Sequence, residues 1–453
     1  MTARAKYERM RAVHLNAVQA ALVDHVTRLD WTPDQINQYR EHRLRELLAY
    51  ARQRSPFHAR RLRALDLSSA SVADLATLPV MTKQEAQASW DDIVTDRRLT
   101  RERAERILRQ QEWYSYTPDG YQMFSSGGSS GVRGVYVWGW QFFVSAACLA
   151  WRAQARAEQR EPSRPTVLAV LEAGMPPHAS TPLFDVPTAA GMQTVVIPAG
   201  DPFDEVLAAV ADARPTHLVG YPSVIGRLAR ASLAGELDCH PVRVSTNSEP
   251  LLEEDRAAIA EAWGVPIHNL WGSTEIGVQA VACGVGDGLH ICEDEVVLER
   301  VDANGAPVGP DEPAARTLAT GLANLTFPFI RYDLGDEVTL IPGPCQCGSA
   351  FARVADIGGR RDDDFRYGPI TVPAVTFRHV LGTDPRISEY QVTQTNRGAE
   401  ILTVGRPDVG TLTTSMVSAL RRCGLTDPAV AIRIVDRIPR NQASGKLKRF
   451  IAL

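Results

Sequence analysis

Hydrophobic and polar residues change their spacing twice along this chain. Over roughly the first 110 residues the apolar positions recur at helical intervals. Leu44, Leu47, Leu48 and Ala51 fall at i, i+3, i+4 and i+7 and predict one buried helix face, punctuated by Pro56. From Thr166 the pattern shortens into β-branched runs at Thr166–Leu171, Thr194–Ile197, His217–Val219, Val242–Ser245 and Pro266–Leu270. Helix-like segments separate several of them: Phe203–Ala213, Val224–Ala234 and Glu253–Trp263. Strands alternating with helices at intervals of about 25 residues predict βα units and a parallel sheet, with ligands beyond the carboxyl ends of its strands. That rule points to the Trp271–Gly277 turn. Residues 289–341 lose the helices and read as strands and turns, the Asn304-Gly305 turn among them. After a charged linker, Arg360–Arg366, comes a small α/β unit: strand Ile401–Val404, helix Leu412–Arg422 and strand Ala429–Val435. The last segment is a basic, glycine-containing loop, Pro439–Arg449.

A chain of 453 residues is too long for one core, so two or three domains are expected. Composition is ordinary, 44% hydrophobic and 23% charged, and the net charge of −4 excludes a global field attracting nucleic acid or anionic membrane. The basic run Arg101–Arg109 is offset by Glu102 and Glu105 and reads as a solvated helix face. Met1–Val26 mixes charges through every turn and lacks the apolar core of a signal peptide. The richest apolar stretch, Phe142–Trp151, falls well short of the roughly 20 residues that span a bilayer. Seven cysteines, an odd number, argue against a disulfide framework, and a reduced cytoplasmic setting is expected.

Four segments carry candidate chemistry. Phe124–Val135 reads FSSGGSSGVRGV, where glycines admit an anion to the backbone amides and hydroxyls add donors to phosphate. It is neither a Walker loop nor a dinucleotide fingerprint, and taken alone it also reads as a flexible linker. Trp271-Gly272-Ser273-Thr274-Glu275 offers an aromatic ring for a base, a hydroxyl for phosphate and a carboxylate for Mg²⁺. A turn with a helix N-cap at Ser273 or Thr274 would explain it equally. Arg331-Tyr-Asp-Leu-Gly-Asp336 places a carboxylate where it can grip ribose hydroxyls, or is simply a β-turn. Lys446, in a Ser-Gly-Lys tip, is a compact cation able to reach phosphate, or part of a plain basic tail.

In this order the segments resemble the core motifs of the adenylate-forming superfamily of acyl-CoA synthetases, adenylation domains and luciferases. The branch they resemble is phenylacetate–CoA ligase and its relatives, through Leu44–Leu62, SSGGSSG, RYDLGD, CxCG and GGRRDD in succession. The resemblance implies an α/β fold: a large domain, 1–361, holding ATP and acid, and a small mobile α+β lid, 362–453, carrying the catalytic lysine. Within the large domain, 1–110 would be a helical cap and 283–347 a β-rich part. It also implies roles. Ser125, Ser126, Gly127, Gly128, Ser129, Ser130 and Gly131 would wrap the ATP phosphates. Trp271, where the family usually has Tyr or Phe, would lie near adenine beside Gly272 and Ser273. Thr274 would touch the α-phosphate and Glu275 the Mg²⁺. Asp336 would hold the ribose with Arg360 assisting, Asp362 would be the hinge, and Lys446 would stabilise charge as carboxylate attacks the α-phosphate. Ser248 and Glu249, in the run Asn247-Ser-Glu-Pro250, occupy the place of a family Gly-Glu-Pro turn.

Tyr136, Trp138, Tyr221, Pro222 and Ser223 are the expected walls of the acid pocket. Their aromatic faces favour an aryl or arylalkanoic acid, and Arg243 and His178 are considered for a polar substituent. Cys345-Gln-Cys347-Gly348 with Cys283 and His290 could make a structural Cys₃His zinc site, with Cys292 as an alternative ligand. Expected small molecules are therefore ATP, Mg²⁺, a carboxylic acid, CoA and a structural Zn²⁺, and relatives suggest a homodimer. One departure concerns the acceptor. Asp364 and Arg366 stand after the hinge where the family has apolar residues, in a segment about one residue short by comparison with the family. Beside CoA, the acyl acceptor could be an amine, a carrier-protein thiol, or nitrite condensing with an aryl amine. A nucleotide-binding protein without catalysis is the reading from another class, against which stand Glu275, Asp336 and Lys446.

Overall fold

The structure is a computed structural model that describes residues 3–111, 115–126, 134–160, 167–172, 179–184, 186, 192–309, 312, 314–336, 338–357, 363–382, 384, 386–440 and 446–453. The amino-terminal part is helical, as its periodicity predicts: α1 (Ala3–Thr27), α2 (Pro33–Arg54), α3 (Pro56–Arg61), α4 (Lys83–Ala88), α5 (Trp90–Ile93) and α6 (Arg101–Gln110). Helix α2 starts at a capping box, Thr32 with Gln35, followed by Pro33 at the position where a missing N–H costs nothing. Its residues Leu44, Leu47, Leu48 and Ala51 are fully buried. Pro56 opens α3, so it starts a helix as well as ending one. Two buried pairs tie this cap to the body, Arg28 to Glu295 at 3.1 Å and Arg28 to Asp294 at 3.4 Å.

The body begins with an antiparallel hairpin, β1 (Gln122–Ser125) and β2 (Val135–Trp138), whose strands are buried throughout. Helix α7 (Trp140–Arg160) then packs on α1. There follow β3 (Val167–Glu172), α8 (Ser180–Phe184), β4 (Gln193–Pro198), α9 (Phe203–Ala213), β5 (His217–Gly220), α10 (Pro222–Leu233), β6 (Arg243–Thr246), α11 (Glu253–Trp263) and β7 (Ile267–Ser273). Strands β8 (Gly277–Val281), β9 (Leu289–Ile291), β10 (Val296–Val301), β11 (Arg316–Gly321), β12 (Tyr332–Asp333), β13 (Leu340–Ile341) and β14 (Arg353–Val354) complete the body. One nine-stranded sheet has the order β13-β14-β9-β8-β7-β6-β5-β3-β4. Its segment from β4 to β7 is parallel, as the alternation of strands and helices predicts; β8, β9, β14 and β13 continue it antiparallel. Strands β10, β11 and β12 form a separate antiparallel sheet.

The carboxyl-terminal unit has its own core. It comprises the hairpin β15 (Phe365–Tyr367) and β16 (Ile370–Val372), helix α12 (Ala374–Leu381), strands β17 (Ile387–Thr395) and β18 (Gly398–Gly405), helix α13 (Val409–Arg422), and strands β19 (Ala429–Ile434) and β20 (Phe450–Ile451). Its four-stranded sheet runs β19-β18-β17-β20. Phe365, Phe377, Tyr390, Met416, Leu420 and Phe450 pack together, and Leu252 of the body joins them. The ion pair between Arg449 and Asp255, 3.0 Å, crosses the same interface, and Asp255 also holds Arg230 of α10 at 3.0 Å.

Candidate active site

The motif residues converge at the carboxyl ends of the parallel strands. Strand β5 delivers Tyr221 there. A Cβ on Gly220 would lie 2.2 Å from the Leu171 carbonyl oxygen, so only glycine lets β5 pass β3 so closely. Tyr221 is fully buried, and Pro222 and Ser223 begin α10 immediately after it. Strand β6 delivers the turn 247–250, anchored by the Asn247 amide on the Gly220 carbonyl at 3.1 Å. Ser248 takes φ +67° in this turn, a left-handed conformation that costs a non-glycine residue about 1 kcal/mol. Its hydroxyl donates to Asn247 Oδ1 at 2.7 Å.

Strand β7 delivers Trp271, Gly272 and Ser273, and residues 274–276 turn the chain into β8. The segment is thus a hairpin between antiparallel strands, and the alternative of a helix N-cap at Ser273 or Thr274 is not realised. The Ser273 hydroxyl instead accepts from the Ile276 amide at 3.2 Å and from Gln279 Nε2 at 3.1 Å, fixing the turn. Two rings from β2 brace it. Trp138 Nε1 donates to the Thr274 carbonyl at 2.9 Å, and the Tyr136 hydroxyl donates to Glu275 Oε1 at 2.6 Å. The sequence reading gives these rings to the acid pocket, whereas here their polar ends position the turn. Tyr332 adds a second hydroxyl on the same Glu275 oxygen at 3.1 Å. No described residue bonds Glu275 Oε2, so one carboxylate oxygen remains for a hard cation.

Trp271 Nε1 donates to Asp336 Oδ2 at 2.8 Å, joining two motifs 65 positions apart, and both residues are buried. A phenylalanine at 271 could not make this bond, which gives the tryptophan a physical purpose. The Arg331–Asp336 segment, in the helix-free part of the body after β7, begins with a residue in left-handed geometry, Arg331 at φ +59°, whose guanidinium is bound to Glu299 at 3.0 Å.

The glycine-serine segment is the loop of the β1–β2 hairpin. Ser125 ends β1 and is buried, and the Ser126 amide donates to the Gly134 carbonyl at 3.0 Å, closing the loop's base. Gly127, Gly128, Ser129, Ser130 and Gly131 lie outside the described residues, as do Arg360, Asp362 and His178. The sequence reading misses Lys83, whose Nζ donates to Ser126 Oγ at 3.0 Å. A signal for it exists: a lysine in the first turn of a helix sits at the positive end of the helix dipole, where a cation is disfavoured unless it serves something else.

The carboxyl-terminal segment docks on this site. The Leu447 amide donates to Glu249 Oε1 at 2.8 Å, and Lys446 Nζ lies 5.7 Å from the centre of the Tyr221 ring. Arg440 Nη1 donates to Ser223 Oγ at 3.1 Å and also pairs with Glu389. Glu249 Oε2 accepts from the Ser223 amide at 3.4 Å, so one carboxylate spans the start of α10 and the lysine segment. Arg243, considered for a polar substituent of the acid, instead opens β6 at the opposite end of the strand.

A second cluster lies at that opposite end. The ligand atoms of Cys283, His290, Cys345 and Cys347 all fall within 4.8 Å of one another. The Cys283 and Cys345 sulfurs are 3.7 Å apart, and Cys347 Sγ is 3.3 Å from His290 Nε2. His290 Nδ1 faces the Phe351 carbonyl at 3.1 Å, which leaves Nε2 to the cluster. The Gly286 amide donates to Cys283 Sγ at 3.4 Å, and a Cβ on Gly286 would meet Cys345 Sγ at 2.6 Å, so the turn must be glycine to cradle the sulfurs. The hydrogen bond from Cys347, assisted by His290 and the Gly286 amide, holds the Cys283 thiol far below its usual range. Three sulfurs and one imidazole at this spacing can hold a tetrahedral cation. Cys292 is not part of the group; burial pushes its thiol up to about 12.

Comparison with known proteins agrees with this geometry. The phenylacetate-coenzyme A ligase of Thermus thermophilus is 27% identical over 295 residues, 58% of this chain and 66% of that protein. That of Pseudomonas putida is 27% identical over 176 residues, 38% of this chain and 39% of that protein. The matches thus span less than two thirds of these relatives' length. In fold, the chain is similar to 2-hydroxyisobutyryl-CoA ligase in its postadenylation state, with a TM-score of 0.70 at 16% identity, over 94% of this chain and 90% of that one. Against the same ligase in its thioesterification state the TM-score is 0.59 at 17% identity, over 93% and 91%. No described helix is long and apolar enough to cross a membrane. Residues 39–313, more than half of the chain, match the AMP-binding enzyme family, and the chain belongs to that family.

Proposed function

We propose that this protein activates a carboxylic acid with ATP, forming acyl-AMP and pyrophosphate, and then transfers the acyl group to CoA. The observation that carries this reading is the docking of the Lys446 segment, through Leu447 on Glu249, above Tyr221. Nucleophilic substitution at phosphorus asks mainly for positioning and for neutralisation of developing charge. In the proposal Lys446 supplies the cation at the α-phosphate, and Thr274 a hydroxyl to the same group. Glu275 holds Mg²⁺ through the oxygen that Tyr136 and Tyr332 leave open. Asp336, steadied by Trp271, receives the ribose. Ser125 to Gly131 and Arg360 complete the nucleotide site, and Asp362 is the hinge on which the unit from 362 onward turns for the second half-reaction.

The acid we favour is aryl or arylalkanoic. Tyr221, Pro222 and Ser223, which follow the carboxyl end of β5, would supply the wall of its pocket, and the phenylacetate-coenzyme A ligases among the relatives point the same way. The Cys283, His290, Cys345 and Cys347 group is assigned a structural zinc, with no part in either step.

Acid-dependent exchange of pyrophosphate into ATP across a panel of acids, followed by mass spectrometry of products with and without CoA, tests the reading. Lys446→Ala should lower exchange at least a hundredfold with the best acid. Equal, negligible rates in variant and wild type across the panel would overturn the catalytic reading. Exchange without thioester would overturn the CoA step alone. A second reading, transfer to an amine, a carrier-protein thiol or nitrite, is favoured by Asp364, whose carboxylate caps the Ala374 amide at 2.8 Å, a polar role in a segment that is apolar in the family.

A further inference from the structure

A cavity of about 550 Å³ opens between the last turns of α7, the amino-terminal ends of β6 and β7, and the cysteine cluster. It lies at the end of the sheet opposite the nucleotide site, and no residue proposed for either half-reaction lines it. Its volume suits a small organic molecule. Three arginines contribute to its lining, and they differ in how they are satisfied. Arg152 is paired with Asp294 at 2.7 Å, and Arg156 with Asp30 at 2.5 Å. Arg243 is 8% exposed, yet no described carboxylate lies within ion-pairing distance of it. Its one hydrogen bond among the described residues is a long one, 3.4 Å to the Gln154 carbonyl.

A buried guanidinium is ordinarily paired, because moving it out of water without a partner is costly. The histidines beside Arg243 do not compensate it. His217 and His268 are held neutral at pH 7, pushed down to about 4 by burial and by Arg243 itself. His268, also buried at the cavity wall, has no hydrogen-bond partner for its Nδ1 among the described residues. An unpaired cation and an unpaired ring nitrogen therefore border the same space, whose other walls include Val242, Pro266 and Val285. The cysteine cluster, once three thiolates and an imidazole hold a divalent cation, carries a net negative charge at another part of the rim. A polyanion would meet repulsion there.

We propose that this cavity is a second ligand site, distinct from the nucleotide and acid sites, that takes an organic monoanion. Its carboxylate pairs with Arg243, and its apolar body lies along Val242, Pro266 and Val285. The full-length protein, crystallised with AMP filling the nucleotide site, is soaked with 4-iodobenzoate and separately with the neutral 4-iodobenzyl alcohol. The expected result is an anomalous iodine peak in this cavity with the acid and none with the alcohol. In solution, Arg243→Met should weaken benzoate at the site about tenfold to a hundredfold, the loss of a charge-assisted hydrogen bond, while AMP affinity is unchanged. No iodine in the cavity with the acid, or equal peaks with acid and alcohol, would overturn the proposal. The wild-type soak decides it even if the variant fails to fold.

Discussion

Five histidines, His14, His25, His58, His217 and His268, are each at most 5% exposed. Burial, assisted in each case by a nearby arginine, pushes them down, His14 to about 2, His25 and His58 to about 3, and His217 and His268 to about 4. In the unfolded chain each returns to about 6.5. The unfolded state therefore binds more protons, and folding stability falls as pH drops below 6.5. The contribution is complete above that value and erodes as pH falls from 6.5 towards the folded values, about 4 for two of the rings and about 3 to 2 for the others. At pH 5.5 each histidine costs the folded state on the order of 1 kcal/mol, so five together cost roughly 5 to 7. That compares with a total stability of about 5–15 kcal/mol for a domain. With an m-value of about 4 kcal/mol/M for a chain of this length, the urea midpoint should fall by roughly 1 to 2 M between pH 7.5 and 5.5. Tryptophan fluorescence in a urea series at each pH measures it. His58, whose ring is hydrogen-bonded among the described residues to the Pro328 carbonyl alone, at 3.0 Å, gives a control: His58→Gln should remove one proton from the slope. A midpoint that stays flat from pH 7.5 to 5.5 would refute the reasoning, because it would mean that these rings are hydrated or already charged in the folded state.

Other outcomes follow from single contacts. Trp271→Phe removes the donor to Asp336, and should raise the KM for ATP about fivefold to thirtyfold with kcat little changed, in steady-state kinetics with the best acid. Arg449→Ala leaves Asp255 paired with Arg230 but loses the bond across the interface. The acyl-AMP-forming step should slow about tenfold to a hundredfold, while thioester formation from supplied acyl-AMP keeps its rate; equal slowing of both would contradict it. Cys347→Ser should reduce bound zinc, measured by elemental analysis of purified protein, from about one per chain to a small fraction, and lower the melting temperature by several degrees.

Much of the body was legible because its helices announce their ends. Glu253–Trp263 is bounded by acidic residues in its first turn and by Gly264 at φ +62° after its last, and Phe203–Ala213 follows Pro202. The five parallel strands fall within a residue or two of their apolar runs at most ends, since strands covered on both faces read as near-continuous apolar runs. The exception is β7, which runs on through Trp271 to Ser273, because pairing with β8 is a tertiary fact. Strands β1 and β2 were not legible: four residues are too few to establish a period. Within the site, local motifs were visible but their couplings were not. Tyr332 meets Glu275 across 57 positions, and Asp336 meets Trp271 across 65. Nothing in spacing predicts which side chains a sheet brings face to face. Arg243 shows the same limit, since a residue at the start of a strand and one at its end read alike in sequence but face opposite edges of the sheet.

The double use of Asp255 bears on how fast the carboxyl-terminal unit can leave. A buried carboxylate with a single cationic partner would be stranded whenever that partner moved away, and the stranding would appear as an activation barrier. Asp255 keeps Arg230 whether or not Arg449 is present, so this carboxylate is not left without a cation when the interface parts. At this pair Arg449 exchanges its bond to Asp255 for water. On the proposed function, this pair would then fix the register of the carboxyl-terminal unit without adding a stranded-charge barrier to its release.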